Sequence, residues 1–380
     1  MVRRSARRRG LTSLVFNAGS STLKASLVAY GAGEPRSATT ETWIEGPNGR
    51  PDVDATVERA LERMAVEPSS IGGVGHRVVH GGEAFRAPVV VDDRTVEAIE
   101  RLASLAPLHN PVAVATIHTA RKLLPGVPHV ACFDTAFHST LPEVAWRYPV
   151  PGSWSAWGIR RFGFHGLSVE WSMGRASTLL ERPIGRLRIV VAHLGAGCSV
   201  TAVDRGRSAW TSMGLTPLEG PMMATRAGSI DPGAVIRVLR DDHLTLDELE
   251  EALERRSGLL AVGGTADMRV LLEREAAGDK RAAMAIEMFV DRAAAEISAA
   301  ITRLGTLDAL VFTGGIGENA APIRSRICRR LRIAGIPPVP ARQVSRDGVV
   351  SGRDRRPAVL RIAAREDVVI ARAVERLAGA

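Results

Sequence analysis

The stretch LTSLVFNAGSSTLKASLVA, residues 11–29, decides the fold because it has the pattern of a tight hairpin. Residues 11–16 are a short apolar run typical of a buried strand, and residues 23–29 are a second one. Between them, residues 17–22 have the small and polar composition of a turn. The same order of strand, turn and strand returns at RIVVAHLGAGCSVTAV, residues 188–203.

The two hairpins align as an internal repeat. Asn17 and Gly19 align with His193 and Gly195 at a spacing of 176 residues, and the second turn spans residues 193–199. Because glycine lets backbone come close to a ligand, each turn could face a phosphate. Two related domains, each opening with such a hairpin, would produce this repeat.

Helical and strand patterns alternate along the rest of the chain. Residues 55–66, 93–105 and 282–304 carry apolar side chains at helical spacing. Asn110-Pro111 is typical of a helix start, with the asparagine as the cap and the proline at the first helical position. Two further apolar runs are typical of buried strands, residues 129–133 and 309–312. This alternation predicts α/β domains.

The length of 380 residues is more than one hydrophobic core usually serves, so we expect two domains. The segment YPVPG, residues 148–152, has the composition of a linker or hinge. Apolar residues make up 45% of the chain and charged residues 24%, which is ordinary for a soluble globular protein.

Cysteine usage and hydropathy bear on the compartment. The three cysteines, Cys132, Cys198 and Cys328, lie far apart and form no CxxC pair. This favours a reduced cytoplasm over a disulfide framework or a metal–thiolate site. We find no run of about 18 apolar residues and predict no transmembrane helix.

The net charge of +9 comes almost entirely from arginine, since the chain has only three lysines, Lys24, Lys122 and Lys280. Five arginines lie within the first nine residues. We predict that residues 1–10 form a disordered basic tail. The alternatives are an arm that binds nucleic acid and a targeting peptide, although no apolar core follows the arginines.

The stretch GHRVVHGGE, residues 75–83, places Arg77 between two histidines, with glycines on both sides. An arginine can clamp a planar carboxylate with two parallel hydrogen bonds. This stretch therefore indicates an anion site.

Nine stretches in this order resemble the acetate kinase family, and the resemblance covers nearly the whole chain after residue 10. They are FNAGSSTLK at 16–24, GHRVVHGGE at 75–83, LAPLHNP at 105–111, FDTAFH at 133–138, FGFHG at 162–166, HLGAG at 193–197, TSMGLTPLEGPMMATRAG at 211–228, DMR at 267–269 and FTGGIGEN at 312–319. That family is similar in fold to actin, the Hsp70 ATPase domain and sugar kinases.

The resemblance implies an α/β fold of two duplicated ribonuclease-H-like domains with a nucleotide cleft between them. We expect the first domain to span residues 11–150 and the nucleotide-binding second domain residues 151–366. A C-terminal helix at residues 367–380 would pack back on the first domain. The internal repeat, which depends on no family, agrees with this duplication.

The activity that the resemblance implies is that of an acetate kinase. Such an enzyme transfers a phosphoryl group reversibly from ATP to acetate by direct in-line attack, giving acetyl phosphate and ADP. Acetate is already ionised at pH 7, so a general base is not obligatory. The obstacle is that an anion must approach a polyanion, so catalysis needs alignment and positive charge at the transferring group.

The resemblance assigns roles to particular residues. Arg77 would bind the substrate carboxylate, while Arg226 and His165 would stabilise the phosphoryl group. Asp134 matches the family's catalytic aspartate, and we expect it to orient Arg77 or a water on magnesium. The alkyl end of the substrate would meet an apolar pocket of Val79, Leu108, Phe164 and Pro217. One methylene in such a pocket is worth only about 1–3 kcal/mol, so these residues do not separate acetate from propionate.

The resemblance also implies ATP as co-substrate and Mg²⁺ (or Mn²⁺) as cofactor, with Asn17 and Glu366 at the metal positions. Lys24 and the HLGAG turn would meet phosphates, DMR would lie near the adenosine, and the GGIGEN backbone would approach the nucleotide. The expected nucleotide-binding residues are Lys24, His193, Leu194, Gly195, Ala196, Gly197, Asp267, Met268, Arg269, Gly315, Ile316, Gly317, Glu318 and Asn319.

Three positions depart from the family pattern. Ala196 replaces the asparagine of the usual HLGNG turn and removes an amide donor near the phosphates. Arg365 stands beside Glu366 where asparagine is usual, and Ser229 follows Gly228 where aspartate is more common.

Other functions stay open at this point. One is a propionate kinase or a pyrophosphate-using relative. Another is a non-catalytic nucleotide-binding module of the actin and Hsp70 kind, which Ala196 and Arg365 would suit. The resemblance further implies a homodimer. From composition and hydropathy we expect a cytoplasmic protein without a nucleic-acid or membrane partner.

Overall fold

The computed structural model describes residues 11–19, 22–31, 35–46, 51–241, 244–352 and 355–378. The chain divides into two compact units. The N-terminal unit comprises Met1–Ser139, Phe164–Leu167 and Arg365–Ala380, and the C-terminal unit comprises Thr140–Gly163 and Ser168–Ala364. The first division falls after Ser139, whereas the sequence placed it at residue 150. The predicted tail, residues 1–10, lies outside the described residues.

The described part of the N-terminal unit has eight strands. In chain order they are β1 (Thr12–Ala18), β2 (Thr22–Ala29), β3 (Pro35–Thr42), β4 (Ile44–Glu45), β5 (Pro51–Asp52), β6 (Ile71–Val78), β7 (Val89–Val90) and β8 (His129–Phe133). Six of them form one sheet in the order β3-β2-β1-β6-β8-β7, and β4 pairs with β5.

The centre of this sheet is parallel. β1 pairs with β2 in an antiparallel way, but it runs parallel to β6, which runs parallel to β8. All five residues of β8 are buried, as its unbroken apolar run predicted. The carboxyl ends of β1, β6 and β8 therefore meet at one edge of the sheet, where side chains from three strands can converge.

The C-terminal unit repeats this sheet. Its described strands are β9 (Arg188–Leu194), β10 (Cys198–Asp204), β11 (Arg207–Thr211), β12 (Ala309–Thr313), β13 (Gly348–Val349) and β14 (Ala358–Arg361). Their order is β11-β10-β9-β12-β14-β13. β9 is antiparallel to β10 and parallel to β12, and β12 is parallel to β14. Strand for strand, the order and directions match the first sheet, which confirms the duplication predicted from the repeated hairpin.

The described helices are, in chain order, α1 (Val53–Arg63), α2 (Asp93–Glu100), α3 (Asn110–Leu123), α4 (Glu143–Trp146), α5 (Gly152–Ala156), α6 (Gly166–Leu179), α7 (Pro232–Asp241), α8 (Leu246–Arg255), α9 (Gly258–Gly263), α10 (Met268–Ala276), α11 (Lys280–Leu304), α12 (Gly314–Asn319), α13 (Ala321–Arg330) and α14 (Glu366–Ala378). α14 packs on β1, β6 and β8, and α11 packs on β9, β10 and β11. Within the described residues, no helix is long and apolar enough to cross a membrane.

Two local predictions need correction. Residues 93–105 do not form one helix, because α2 ends at Glu100 and a separate 3₁₀ turn spans Ala103–Leu105. Asn110 is not a helix cap, since α3 begins at Asn110 itself and His109 holds the cap position. The Asn110 side chain instead accepts a hydrogen bond from the backbone N–H of His80 at 3.1 Å and donates to its carbonyl at 3.0 Å. The long-range contact thus outweighs the local cap.

Candidate active site

The end of the parallel strands in the N-terminal unit brings together four polar residues. Asn17 lies near the end of β1, Arg77 near the end of β6, and Asp134 directly follows β8. Glu366 opens α14. Asp134 is fully buried, and the side chains of Arg77 and Glu366 are exposed by only 14% and 12%. Four predicted site residues that are far apart in the sequence therefore lie together at one partly enclosed edge of the sheet.

Arg77 is the centre of this group. Its Nε donates to Oδ1 of Asp134 at 2.9 Å, and its NH2 group donates to Oδ2 of the same carboxylate. NH1 donates to the amide oxygen of Asn17 at 2.9 Å, and Nε lies 3.9 Å from Oε2 of Glu366. A carboxylate that binds the guanidinium through two parallel hydrogen bonds fixes its plane. Asp134 therefore orients Arg77.

The buried charges of Arg77, Asp134 and Glu366 act on one another. Burial opposes the charge of Arg77, but the carboxylates of Asp134 and Glu366 outweigh it and raise the pKa of Arg77 above its ordinary value. Burial also raises the pKa of Asp134, against the opposing effect of the Arg77 charge. Arg77 thus stays a cation at the edge of the sheet.

Two glycines explain how Glu366 reaches Arg77. A Cβ atom on Gly73 would lie 2.5 Å from Val374, and one on Gly75 would lie 2.3 Å from Ile370. Only glycine at these positions of β6 lets α14 pack so closely on the strand. The helix start then lies beside the strand ends, where Nδ2 of Asn17 donates to Oε2 of Glu366 at 2.9 Å.

Asn17 and Glu366 form a donor set that suits magnesium. An amide oxygen and a carboxylate are hard oxygen ligands, and Mg²⁺ usually takes one or two protein groups together with waters and phosphate oxygens. The neighbouring Arg365 directs Nε to Oδ1 of Asp367 at 3.1 Å. A partner for this cation thus lies within α14 itself.

The segment with His165 is fastened to Asp134. Gly166 donates its N–H to the carbonyl of Asp134 at 2.9 Å, and a Cβ atom on Gly166 would lie 2.2 Å from that carbonyl oxygen. The backbone of His165 also donates to the Asp134 carboxylate. His165 has φ +57, a left-handed conformation that few non-glycine residues adopt. One aspartate thus holds both Arg77 and the His165 segment.

His138, in the FDTAFH stretch, supports the same segment. Its Nε2 donates to the carbonyl of Phe164 at 3.0 Å, and burial lowers the pKa of His138 to about 4. The lowered pKa keeps this imidazole neutral near pH 7, and the hydrogen bond places its proton on Nε2. This histidine was not among the predicted site residues.

Of the four residues predicted for the apolar pocket, three lie in the N-terminal unit. Val79 and Phe164 are buried and Leu108 is half-buried. The ring of Phe164 meets that of His80 edge-on, with centroids 5.3 Å apart. Pro217 is buried in the C-terminal unit.

The predicted phosphate turn of the C-terminal unit has fewer residues than expected. β9 extends through Leu194 and β10 begins at Cys198, so the turn is Gly195 to Gly197. Gly195 donates its N–H to the carbonyl of Gly197 at 3.0 Å. Burial raises the pKa of Cys198 to about 12, so it stays a thiol and donates to the carbonyl of Gly195 at 3.4 Å.

The GGIGEN segment lies beside this turn. A Cβ atom on Gly314 would lie 2.8 Å from the carbonyl oxygen of Leu194, and one on Gly195 would lie 3.7 Å from the amide nitrogen of Gly315. Two stretches predicted to approach the nucleotide by their backbone are thus neighbours. His193, whose Nδ1 lies 2.8 Å from Oγ of Ser168, flanks the turn.

Other predicted nucleotide residues have partners in the chain. Asp267 caps α10 and binds the side chain of Arg269 through both carboxylate oxygens, at 3.1 and 2.6 Å. The carboxylate of Glu318 accepts the N–H of Ala364 at 2.9 Å. Lys24, in the N-terminal unit, is exposed, and in the register of the β1–β2 hairpin it lies opposite Asn17.

Arg226 lies in the C-terminal unit, where Glu254 is its partner. Nε of Arg226 donates to Oε2 of Glu254 at 2.5 Å. Glu254 was not among the predicted residues, because α8, with the sequence LDELEEALER, reads locally as an exposed acidic helix. Arg226, predicted as catalytic, and Arg77, predicted to bind the substrate, thus each have a buried carboxylate of their own unit as partner.

The sequence is similar to those of known proteins over nearly its whole length. The model of the acetokinase family matches residues 12–372. An acetate kinase of Synechococcus sp. is 44% identical, covering 96% of this chain and 98% of the relative. One of Deinococcus radiodurans is also 44% identical, covering 85% of this chain and 86% of the relative.

Solved structures are similar over the same length. The acetate kinase of Porphyromonas gingivalis has a TM-score of 0.87 and 31% identity, covering 97% of this chain and 99% of that one. A propionate kinase from Francisella tularensis has a TM-score of 0.88 and 33% identity, covering 97% of this chain and 100% of that one.

Proposed function

Because the chain belongs to the acetokinase family, we propose that it is an acetate kinase, which transfers a phosphoryl group reversibly between ATP and acetate. The family relationship over residues 12–372 carries this proposal. The cluster of Arg77, Asp134, Asn17 and Glu366 at one strand edge supports it, since it combines a cation for a carboxylate with oxygen ligands for a metal.

The chemistry that this site must supply is mainly electrostatic. The acetate carboxylate attacks as an ion, so no proton has to be removed first. Arg77 binds and orients the carboxylate, and Asp134 keeps the guanidinium in place. Arg226 and His165 donate to the oxygens of the transferring group and offset the charge that develops there.

Asn17 and Glu366 would hold Mg²⁺, which neutralises phosphate charge when it is bound. The Gly195–Gly197 turn and the neighbouring GGIGEN segment would bind the nucleotide through backbone N–H groups. The DMR stretch opens α10, with Asp267 as its cap and as the partner of the Arg269 side chain, and adenosine would lie on this helix start.

The family relationship also supports a proposal for the oligomeric state and for the location of the protein. We infer a homodimer and a cytoplasmic location. Light scattering behind a sizing column measures the first, and fractionation of the source cells measures the second.

The proposal is tested with purified protein, ATP, Mg²⁺ and a panel of formate, acetate, propionate and butyrate, with acyl phosphate trapped as hydroxamate. We expect the highest kcat/KM for acetate and no product without divalent cation. A preference for propionate would favour the second candidate, which the structural similarity to a propionate kinase supports. ATP binding by calorimetry without turnover of any acid would contradict both.

A further inference from the structure

The guanidinium of Arg226 is held by a glutamate of its own unit. Nε of Arg226 donates to Oε2 of Glu254 at 2.5 Å, and the two side chains are exposed by only 14% and 9%. A hydrogen bond between opposite charges is stronger in a buried site than in water, and it orients both partners. The pair is therefore suited to fix the direction of Arg226.

The backbone around this pair is fastened to the same part of α8. Thr225 donates its hydroxyl to the carbonyl of Glu254 at 2.8 Å, and Ala227 donates its N–H to the carbonyl of Leu253 at 3.2 Å. Ser257 donates its N–H to the carbonyl of Thr225 at 2.9 Å. Arg226 thus stands between two residues whose backbone or hydroxyl is bound to the end of α8.

The start of α9, at Gly258, packs against the backbone on either side of Arg226. It has φ +63, and a Cβ atom there would lie 2.2 Å from the carbonyl oxygen of Met223 and 2.8 Å from that of Arg226. Leu259 donates its N–H to the carbonyl of Met223 at 2.9 Å. Only glycine permits this approach of the α9 start to the Arg226 segment.

An arginine side chain loses rotamer entropy when it is fixed. If that cost is met in the folded protein, it does not add to the reaction barrier. Because the short contact uses Nε, the terminal NH1 and NH2 groups can donate to two oxygens of a phosphoryl group. In the N-terminal unit a carboxylate also holds an arginine, but there Asp134 accepts from both Nε and NH2 of Arg77.

We propose that Glu254 is a positioning residue, which acts on the reaction through Arg226 by holding its guanidinium in the direction of the transferring phosphoryl group. This inference rests on the role of Arg226 in the proposed function.

The test compares E254A, E254Q, R226A and the double variant R226A/E254A with the wild-type protein. We expect E254A to lower kcat about 10- to 100-fold, the loss typical of a misplaced catalytic group, with smaller changes in the KM values for acetate and ATP. E254Q keeps an oxygen acceptor of the same length, so its kcat should lie between those of E254A and the wild type. Glu250 lies on the same helix and is exposed, so E250A serves as the matched control.

The double variant separates positioning from an independent role. If Glu254 acts only through Arg226, R226A/E254A should be no slower than R226A alone. A double variant that loses the product of the two single factors overturns the proposal, as does a wild-type kcat in both Glu254 variants. Thermal unfolding is measured in parallel, and E254Q with a lower unfolding temperature but unchanged kcat also overturns it. If wild-type protein forms no acyl phosphate, the proposed function itself fails.

Discussion

At the scale of single residues, Arg77 is the group whose replacement should be most specific for the carboxylate substrate. Hydrogen bonds to charged groups are worth about 1.5–3 kcal/mol, so we expect Arg77→Ala to lower kcat/KM for acetate about 10- to 100-fold, mainly through KM. Arg77→Lys should recover little, because an ammonium cannot form the fork that Asp134 holds. Hydroxamate assays over a range of acetate concentrations measure both constants. Arg86→Ala, at an exposed position of the same region, is the control, and an unchanged acetate KM in Arg77→Ala would contradict the assignment.

Asp134 allows a distinction between orientation and base catalysis. Asp134→Asn keeps the size of the side chain but removes the charge that fixes Arg77. We expect a large fall in kcat/KM while the pH dependence of the remaining rate keeps its wild-type shape. Profiles of kcat/KM against pH for both proteins provide the measurement, with Asp93→Asn at an exposed site as the control. Loss of the acid limb in Asp134→Asn alone would instead indicate a base.

Residue types at strand ends were readable from the sequence, whereas their partners were not. Asp134 stood out because it follows an apolar strand pattern, and Arg77 because it lies between two histidines with glycines on both sides. Glu254 did not, because its burial depends on a loop that is distant in sequence. Asn110 was misread for the same reason, since the backbone of His80 competes with the local cap.

At the scale of elements, the pairing of β6 with β8 buries two histidines. Nε2 of His76 lies 2.9 Å from Nδ1 of His129, and their rings stack with centroids 5.2 Å apart. Burial, with His129 as a further cause, lowers the pKa of His76 well below its ordinary value. Burial also lowers the pKa of His129 to about 4, and Arg121 adds to this shift.

These shifts predict a loss of stability in acid. An unfolded histidine titrates near 6.5, so below that pH the unfolded chain binds protons that the folded pair does not. For His129 the stabilisation is complete above a pH of about 6.5 and falls by about 1.4 kcal/mol per pH unit as the pH decreases toward about 4. The lowered pKa of His76 adds a loss of the same sign. Urea unfolding at several pH values measures it. A variant with His76→Leu and His129→Leu should show a flatter dependence, and His118→Leu, at an exposed site, should not. Parallel curves for the wild type and the double variant would contradict this.

The sequence predicted the central strands well and the edge strands poorly. β1, β6 and β8 form the parallel centre of the first sheet, and β9, β12 and β14 form that of the second. Four of these six, β1, β8, β9 and β12, were recognised from apolar runs. β6 was read only as a ligand-binding motif, because its glycines serve the approach of α14 rather than strand propensity. Edge strands such as β7 and β13 have two residues each, too few to show any periodicity.

At the scale of the whole molecule, the repeated hairpin was sufficient to predict two sheets of one topology, because duplication preserves strand order better than residue identity. The boundary was harder to predict, since the chain enters the N-terminal unit three times. The sequence predicted one return of the chain to this unit, that of the helix at residues 367–380, whereas no local signal marks the short return at Phe164–Leu167.

The two units also divide the proposed ligands between them, and this division can be measured by hydrogen exchange. ADP with Mg²⁺ should slow exchange at residues 193–197 and 314–319 of the C-terminal unit, where backbone N–H groups are expected to bind phosphate. Acetate should slow exchange at the end of β6 and at residues 164–166. Bound ligand stabilises only the states that bind it, so the effect should grow with ligand concentration relative to Kd.

Arg77→Ala provides the control for this hydrogen-exchange measurement. Arg77 binds Asp134, Asn17 and Glu366, which all belong to the N-terminal unit. Its loss should therefore remove the effect of acetate in that unit and leave the effect of ADP on the C-terminal turn largely intact. If acetate protects only the C-terminal unit, or if Arg77→Ala abolishes protection by both ligands equally, then the carboxylate is bound elsewhere and the role proposed for Arg77 is wrong.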